Sequence, residues 1–177
     1  MKKMMSWMLT IILALSCCGT AFAAETKVNV DGTEVEFTDA KPFVDKNGRT
    51  MVPLRPVAEA MGIDVEWDKR ANTAVFSKEF DPGIEGFGYD IKGKQVYGRI
   101  VYMSLSFKVG EPEVEMYGRV VKDNGDTTAI ADGFQMDTTA VVKDGRTYAP
   151  LRYMVQSFGY NVGWDKETKT VTVENYR

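Results

Sequence analysis

The chain has 177 residues, of which 27% are charged and 44% hydrophobic, and its formal net charge at pH 7 is −3. This length can form one domain, or two small halves that share a core. The slightly acidic balance and the lack of a basic cluster in the sequence argue against nucleic acid as a partner.

The N-terminal segment has the three parts of a secretory signal peptide. Two lysines precede an apolar run at residues 8–15, and residues 21–23 form an A-x-A cleavage site. We expect cleavage of residues 1–23, after Ala23, and a secreted or cell-surface protein without a transmembrane helix. Cys17 and Cys18 would leave with this leader. The alternative is lipid attachment at one of these two cysteines, although the residues before them fit such a site poorly.

Two hairpins are predicted after the leader. Residues 27–37 alternate polar and apolar side chains around Asp31-Gly32, which is a strong two-residue turn signal. Residues 42–52 form a second strand pair, with Gly48 in a turn that requires a positive φ. We expect the apolar side chains of both hairpins to face a core.

A short helix is predicted next, because the apolar residues of 54–61 recur at i, i+3, i+4 and i+7. Pro53 is compatible only with the first turn, and Gly62 fits the position at which a helix ends. A helix of two turns is not stable alone, so it must pack on a sheet. Residues 65–76 are predicted as a hairpin in which Trp67 covers the end of the helix.

The middle of the chain has weaker patterns. Residues 80–93 are rich in Gly and Asp and are typical of a loop, whereas residues 96–108 alternate as one or two strands. Residues 113–116 are similar to residues 34–37, which predicts an insertion at 117–133. Such an insertion either adds a specific surface or only lengthens a hairpin.

The pattern from the second turn onward then occurs again. Residues 48–55 read GRTMVPLR and residues 145–152 read GRTYAPLR, at a constant offset (145 − 48 = 97). We expect an α+β fold of two related units, 24–79 and 107–177, with a β-rich connector at 80–106. Antiparallel sheets would wrap the short amphipathic helices, and the duplicated units would pack with pseudo-twofold symmetry.

The repeated pattern resembles a known family. It runs Asn/Asp-Gly-Arg-Thr, x-x-Pro-Leu-Arg, a helix ended by Gly, then x-x-Val-x-Trp-Asp and a Thr-x-Val strand, at residues 48–76 and 145–173. This is similar to the copper amine oxidase N-terminal-like domain, or stalk domain, in two tandem copies. The resemblance implies an accessory, non-catalytic module of secreted bacterial proteins. It does not imply oxidase activity, because the copper site of the oxidase needs imidazoles and this chain has no His.

The sequence offers little catalytic chemistry. Without His, and without Cys after the leader, it lacks the commonest general base and soft metal ligands. No nucleophile motif or phosphate-binding loop is present. We therefore expect no enzymatic activity, no metal and no cofactor. The alternative is a small extracellular hydrolase that uses Glu113 and Glu115, which share one face of a strand. A solvated strand edge is the simpler interpretation of this pair.

Arg55 and Arg152 lie at the helix starts, where the helix dipole disfavours a cation. We expect each to pair with an aspartate of its own unit, Asp68 or Asp165, and so to fasten helix to hairpin. The alternative is contact with an anion or a glycan. The predicted structural motif of the two units is Arg55, Trp67, Asp68, Arg152, Trp164 and Asp165.

Aromatic residues of the middle segment allow two interpretations. They fill a sheet core, which is the commoner role, or they form a face on which sugars stack. Exposure of Tyr89, Tyr97 and Tyr117 on one face would favour the ligand surface. The expected role is binding or spacing at the bacterial cell surface, with a cell-wall polymer or another surface protein as partner. The residues concerned are Phe87, Tyr89, Tyr97, Tyr102, Phe107 and Tyr117.

Overall fold

The computed structural model describes residues 26–175. Within this range, thirteen strands form three sheets, and there are two short helices. The fold is therefore strand-rich α+β with mainly antiparallel pairing, as predicted. The predicted signal peptide and its two cysteines lie outside the described residues.

The elements follow in chain order. They are β1 (Lys27–Val30), β2 (Thr33–Glu34), β3 (Phe43–Val44), β4 (Thr50–Pro53), α1 (Leu54–Ala60), β5 (Asp64–Asp68), β6 (Thr73–Tyr89), β7 (Gln95–Lys108), β8 (Glu113–Val121), β9 (Thr127–Gln135), β10 (Val141–Lys143), β11 (Arg146–Pro150), α2 (Leu151–Ser157), β12 (Tyr160–Asp165) and β13 (Thr170–Asn175).

Two four-stranded sheets combine strands from both ends of the chain. One has the order β12-β13-β1-β2, and β1 runs parallel to β13 with Val28 opposite Val171. The other has the order β10-β11-β4-β3, and β4 runs antiparallel to β11 with Val52 opposite Ala149. The first pairing joins residues that are 143 positions apart (171 − 28 = 143) and the second joins residues that are 97 apart (149 − 52 = 97), so the first and second repeats share their sheets.

Each helix begins directly after a strand of the central β4–β11 pair. Pro53 and Pro150 precede the helices with φ of −60° and −64°, and both helices bury their apolar stripes, as predicted. Gly62 and Gly159 follow the helices at φ of 67° and 79°, the left-handed conformation in which glycine is least strained. The predicted helices and their C-terminal glycines are confirmed.

The third sheet has the order β5-β6-β7-β8-β9 and corrects the prediction for the middle of the chain. Residues 80–89 are not a loop, because β6 continues to Tyr89 with an irregularity in register between Glu79 and Ile84. Residues 117–133 largely form β8 and β9. Strands β6 and β7 also run across the predicted unit boundaries at 79/80 and 106/107.

Close packing accounts for two of the glycines in the segment that the sequence predicts as a loop. A Cβ placed on Gly86 would lie 2.7 Å from Ile100 Cδ1, and one on Gly88 would lie 2.9 Å from Ile130 Cβ. The far end of β6 curls over until it reaches β9, and at Gly88 only glycine allows this approach. The inner face of the sheet closes on Val96, Ile100 and Ile130, which leaves the opposite face outside the core.

One hydrophobic cluster joins the helices to all three sheets. Phe76 and Phe107 lie at its centre, fully buried, with ring centroids 5.5 Å apart in an edge-to-face contact. Neither ring can be removed without leaving a cavity.

We predict that Phe107→Ala lowers the free energy of unfolding by about 3–5 kcal/mol, because it opens a cavity at the centre of the core. Phe87→Ala is the matched control and changes it by about 0.5 kcal/mol or less, since the Phe87 side chain is 52% exposed. Urea denaturation of both variants measures the difference. Equal losses would contradict the assignment of Phe87 to the outer face.

Candidate functional site

The outer face of the five-stranded sheet carries a group of aromatic side chains. Residues opposite each other on neighbouring strands share a face, as do alternate residues along a strand. Phe87 lies opposite Tyr97, and Arg99, on the same face as Tyr97, lies opposite Val121 of β8. Tyr117 lies four residues before Val121 on β8, so its side chain is on the same face. We call this surface the aromatic face; it consists of Phe87, Tyr89, Tyr97, Tyr102 and Tyr117.

Most of these rings are open to solvent. The exposed fraction is 65% for Tyr97, 52% for Phe87, 46% for Tyr117 and 39% for Tyr89, and Tyr102 is half-buried. Phe87 lies 5.8 Å from Tyr97 and 6.3 Å from Tyr89 between ring centroids. A core role is therefore wrong for these exposed aromatics.

Two rings at the other end of the aromatic face are held by a charged pair. The centroids of Tyr102 and Tyr117 are 6.4 Å apart, and the guanidinium of Arg119 lies 4.9 Å from the centroid of Tyr102. Arg119 also donates to Glu79 at 2.6 Å. Farther along the sheet, Arg99 lies opposite Glu85, so each arginine on this face has a neighbouring glutamate.

The predicted pairing of Arg55 with Asp68 and of Arg152 with Asp165 is wrong. Asp68 accepts hydrogen bonds from the backbone N–H groups of Arg70 and Ala71, at 2.8 and 3.1 Å. Asp165 likewise accepts from the backbone of Glu167 and Thr168. Both aspartates close the turns of their hairpins, which is a common local use of Asp.

The two helix arginines have different surroundings. Arg152 donates from Nη2 to Asp137 at 2.7 Å. Arg55 is exposed and has no hydrogen bond or ion pair with any residue in the described range 26–175. The two tryptophans also differ, because Trp67 packs against the core whereas Trp164 is 47% exposed. The sequence predicts that each tryptophan covers the end of its own helix, and this is wrong for Trp164, which is about half exposed and is not packed against the core cluster.

A groove of about 580 Å³ lies between the start of α1, strand β5 and the turn before β11. Arg55, Pro56 and Trp67 line one part of it, and Asp39 and Arg146, which form an ion pair, line another. Glu59 and Glu66 also line the groove, as do Thr38 and Thr147. A smaller cavity of about 320 Å³ adjoins it and shares Thr38 as a wall residue.

Asp137 is the centre of a second polar cluster. Its carboxylate binds Arg49, Arg152 and the hydroxyl of Tyr153, which donates to Oδ1 at 2.9 Å. Desolvation by itself would raise the pKa of Asp137, but the hydrogen bonds from Tyr153, Arg152 and Arg49 outweigh it and lower the pKa below its ordinary value of 3.8. Asp137 is therefore a charged residue that links the two repeats through its ion pairs with Arg49 and Arg152.

The alternative carboxylate pair lies outside the two cavities above. Glu113 and Glu115 are exposed on β8. The prediction that they lie on a sheet edge is wrong, because β8 lies between β7 and β9. Among residues 26–175, no group of three or more His, Cys, Asp or Glu side chains could hold a metal ion. Both described helices are too short to cross a bilayer.

Sequence analysis missed the groove and the Asp137 cluster. Their one sequence signal is a mismatch inside the repeat, where Tyr153 of the second copy corresponds to Pro56 of the first. The aspartates that bind across the repeats, Asp39 and Asp137, precede the repeated motif. A comparison restricted to that motif could not find them.

Comparison with known families gives one result. A family model described as "Copper amine oxidase N-terminal domain" matches residues 29–82 and 128–176, more than half of the chain and consistent with two tandem copies. Neither curated proteins nor solved structures gave a match.

We predict that Asp137→Asn destabilises the protein at pH 7 and less so at pH 3. The lowered pKa means that the charged Asp137 stabilises the fold above about pH 4, and that this contribution is lost as the pH falls through the folded-state pKa. Urea midpoints at the two pH values measure the effect. Asp123→Asn, in the turn after β8, controls for removal of one charge. A deficit that stays constant between pH 7 and pH 3 would contradict the role of the charged pair.

Proposed function

Because the chain belongs to the copper amine oxidase N-terminal domain family, we propose that it is an exported, non-catalytic binding module that acts at the bacterial cell surface. The family match supports an accessory role. The two N-terminal lysines, the apolar run at residues 8–15 and the A-x-A site at residues 21–23 support export. The lack of His in the sequence supports the non-catalytic part, as does the position of Glu113 and Glu115 outside the groove and the smaller cavity described above.

The proposed architecture is a duplicated scaffold with pseudo-twofold symmetry. Val52 and Ala149 are equivalent positions of the repeat, and they lie directly opposite each other in the β4–β11 pair. On either side, Met51 pairs with Pro150 and Pro53 with Tyr148. Pairing of equivalent residues around a central pair is what a local twofold axis through β4 and β11 would produce.

Two reciprocal ion pairs support the same axis. Arg49 of the first repeat binds Asp137, and Arg146 of the second repeat binds Asp39. The two arginines are equivalent at an offset of 97, and the two aspartates are 98 apart (137 − 39 = 98). The paired residues Phe43 and Met51 enclose seven residues, whereas the equivalent pair Val141 and Tyr148 encloses six, so the first hairpin is one residue longer and accounts for the difference.

The aromatic face carries the binding proposal. Soluble proteins rarely leave several large rings exposed on one surface without a partner. Four of its five rings are more than a third exposed, and the arginines on it have glutamate neighbours, so the face favours a neutral ligand over a charged one. The C–H faces of sugar rings stack on such aromatic side chains. We therefore propose a cell-wall polysaccharide as the partner, with another surface protein as the alternative that the experiment distinguishes.

The extent of the aromatic face suits a polymer. Tyr97 and Tyr102 lie on the same strand, and the rise of an extended chain separates them by roughly 14 Å after the bulge near Val101 is discounted. Phe87 and Tyr117 widen the two ends across neighbouring strands. Several consecutive sugar rings can contact a surface of this length.

We predict that the protein is retained on purified peptidoglycan and that the double variant Phe87→Ala/Tyr97→Ala is retained about tenfold less, since each lost ring contact is worth about 0.5–1.5 kcal/mol. The control is Trp164→Ala, which removes a comparably exposed ring from another sheet. A sedimentation assay with washed cell walls measures retention. Binding to surface proteins but not to peptidoglycan would favour the protein partner, and retention on neither would refute the proposal.

We also predict that the exported protein begins at Ala24. Mass spectrometry of the protein recovered from culture supernatant and cell wall measures the N-terminus. A chain that begins at a lipid-modified Cys17 or Cys18 would instead support lipid anchoring.

A further inference from the structure

The two repeats differ at the site where α1 and α2 begin. In the second repeat, the ring of Tyr153 stacks on Phe134 with centroids 5.8 Å apart and planes at 23°. Its hydroxyl donates to Asp137 Oδ1 at 2.9 Å and accepts from the Asp137 backbone N–H at 3.0 Å. Arg152 lies over the same ring, 5.0 Å from its centroid, and binds Asp137 as well. A hydroxyl-bearing ring thus occupies this site in the second repeat.

The first repeat has the same polar groups without that ring. Pro56 replaces Tyr153, Arg55 replaces Arg152, and Asp39 corresponds to Asp137. All three line the groove of about 580 Å³. Arg55, unlike Arg152, binds no other residue within the described part of the chain. The groove therefore exists where the first repeat lacks a tyrosine.

The carboxylates of the two sites are held alike. Arg146 binds Oδ2 of Asp39, as Arg49 binds Oδ2 of Asp137. Oδ1 of Asp39 thus corresponds to the atom that accepts the hydroxyl proton of Tyr153 in the second repeat. A ligand hydroxyl at the equivalent place in the groove would meet a carboxylate fixed by Arg146 and a guanidinium, Arg55, that has no other described partner.

We propose that the groove of the first repeat binds a sugar ring of a glycan, which takes the place that Tyr153 fills in the second repeat. This inference rests on the equivalence of the two repeats proposed above, but not on the aromatic face, which shares no residue with the groove.

Two features favour a sugar over the tyrosine side chain of a partner protein. The groove volume lies within the range of about 300–1,000 Å³ that is usual for small-molecule sites, which is more than one phenol ring would fill. The planar polar groups of Asp39, Arg55, Glu59 and Glu66 offer more hydrogen bonds than the single hydroxyl of a phenol can use.

Trp67, half-buried on the groove wall, provides an apolar surface against which a sugar ring can pack.

The test follows the indole N–H resonance of Trp67 by NMR during titration with chitotetraose, a soluble oligomer of N-acetylglucosamine. The variant Trp164→Phe assigns the resonance. We expect the Trp67 signal to shift in a saturable way and the Trp164 signal to stay in place. Pro56→Tyr should weaken the apparent affinity at least about tenfold, because the new ring occupies the groove. Pro56→Ala is the matched control and leaves the groove open.

A second variant tests the groove even if Pro56→Tyr does not fold. Arg55→Ala removes an exposed side chain that has no hydrogen bond or ion pair with a described residue, so it should weaken binding without lowering the thermal midpoint. No shift of Trp67 with chitotetraose, or equal affinity of Pro56→Tyr and Pro56→Ala, would overturn the proposal. Stronger binding of N-acetyl-tyrosinamide than of chitotetraose would also overturn it, in favour of a protein ligand. Retention on peptidoglycan by the aromatic face would be unaffected by these results.

Discussion

The antiparallel pairing of β4 with β11 is the constraint on which the other elements depend. Each of these strands leads directly into a seven-residue helix that could not persist alone. The pairing of Val52 with Ala149 fixes where both helices begin, and the apolar stripes of the helices then share one core. The ion pairs of Asp39 and Asp137 span the same junction from either side.

The third sheet adds a surface that the two repeats alone would not provide. Its inner face closes because β6 curls toward β9, with glycines where the strands approach most closely. Closure of the inner face requires the alternate residues to point outward, since side chains alternate along a strand. The exposed aromatic residues are therefore a geometric consequence of the packed side of the same strands.

The two proposed binding regions have different physical origins. The aromatic face is an extended surface that suits repeated stacking contacts along a polymer. The groove is lined by Pro56, which stands in the first repeat where the second repeat has Tyr153. In the second repeat the equivalent place is filled by Tyr153, whose hydroxyl binds Asp137.

The sequence by itself determined the local elements. Helical spacing with Pro53 before and Gly62 after located α1, and the 97-residue offset transferred that assignment to α2. Tertiary structure alone decided that β6 passes through the glycine-rich segment, that β1 pairs with β13, and that Asp137 binds Arg152 while Arg55 stays unpaired within the described residues. These features depend on contacts between distant residues, which leave no periodic pattern in the sequence. Local periodicity reports which face of an element is apolar, but not which other element covers it.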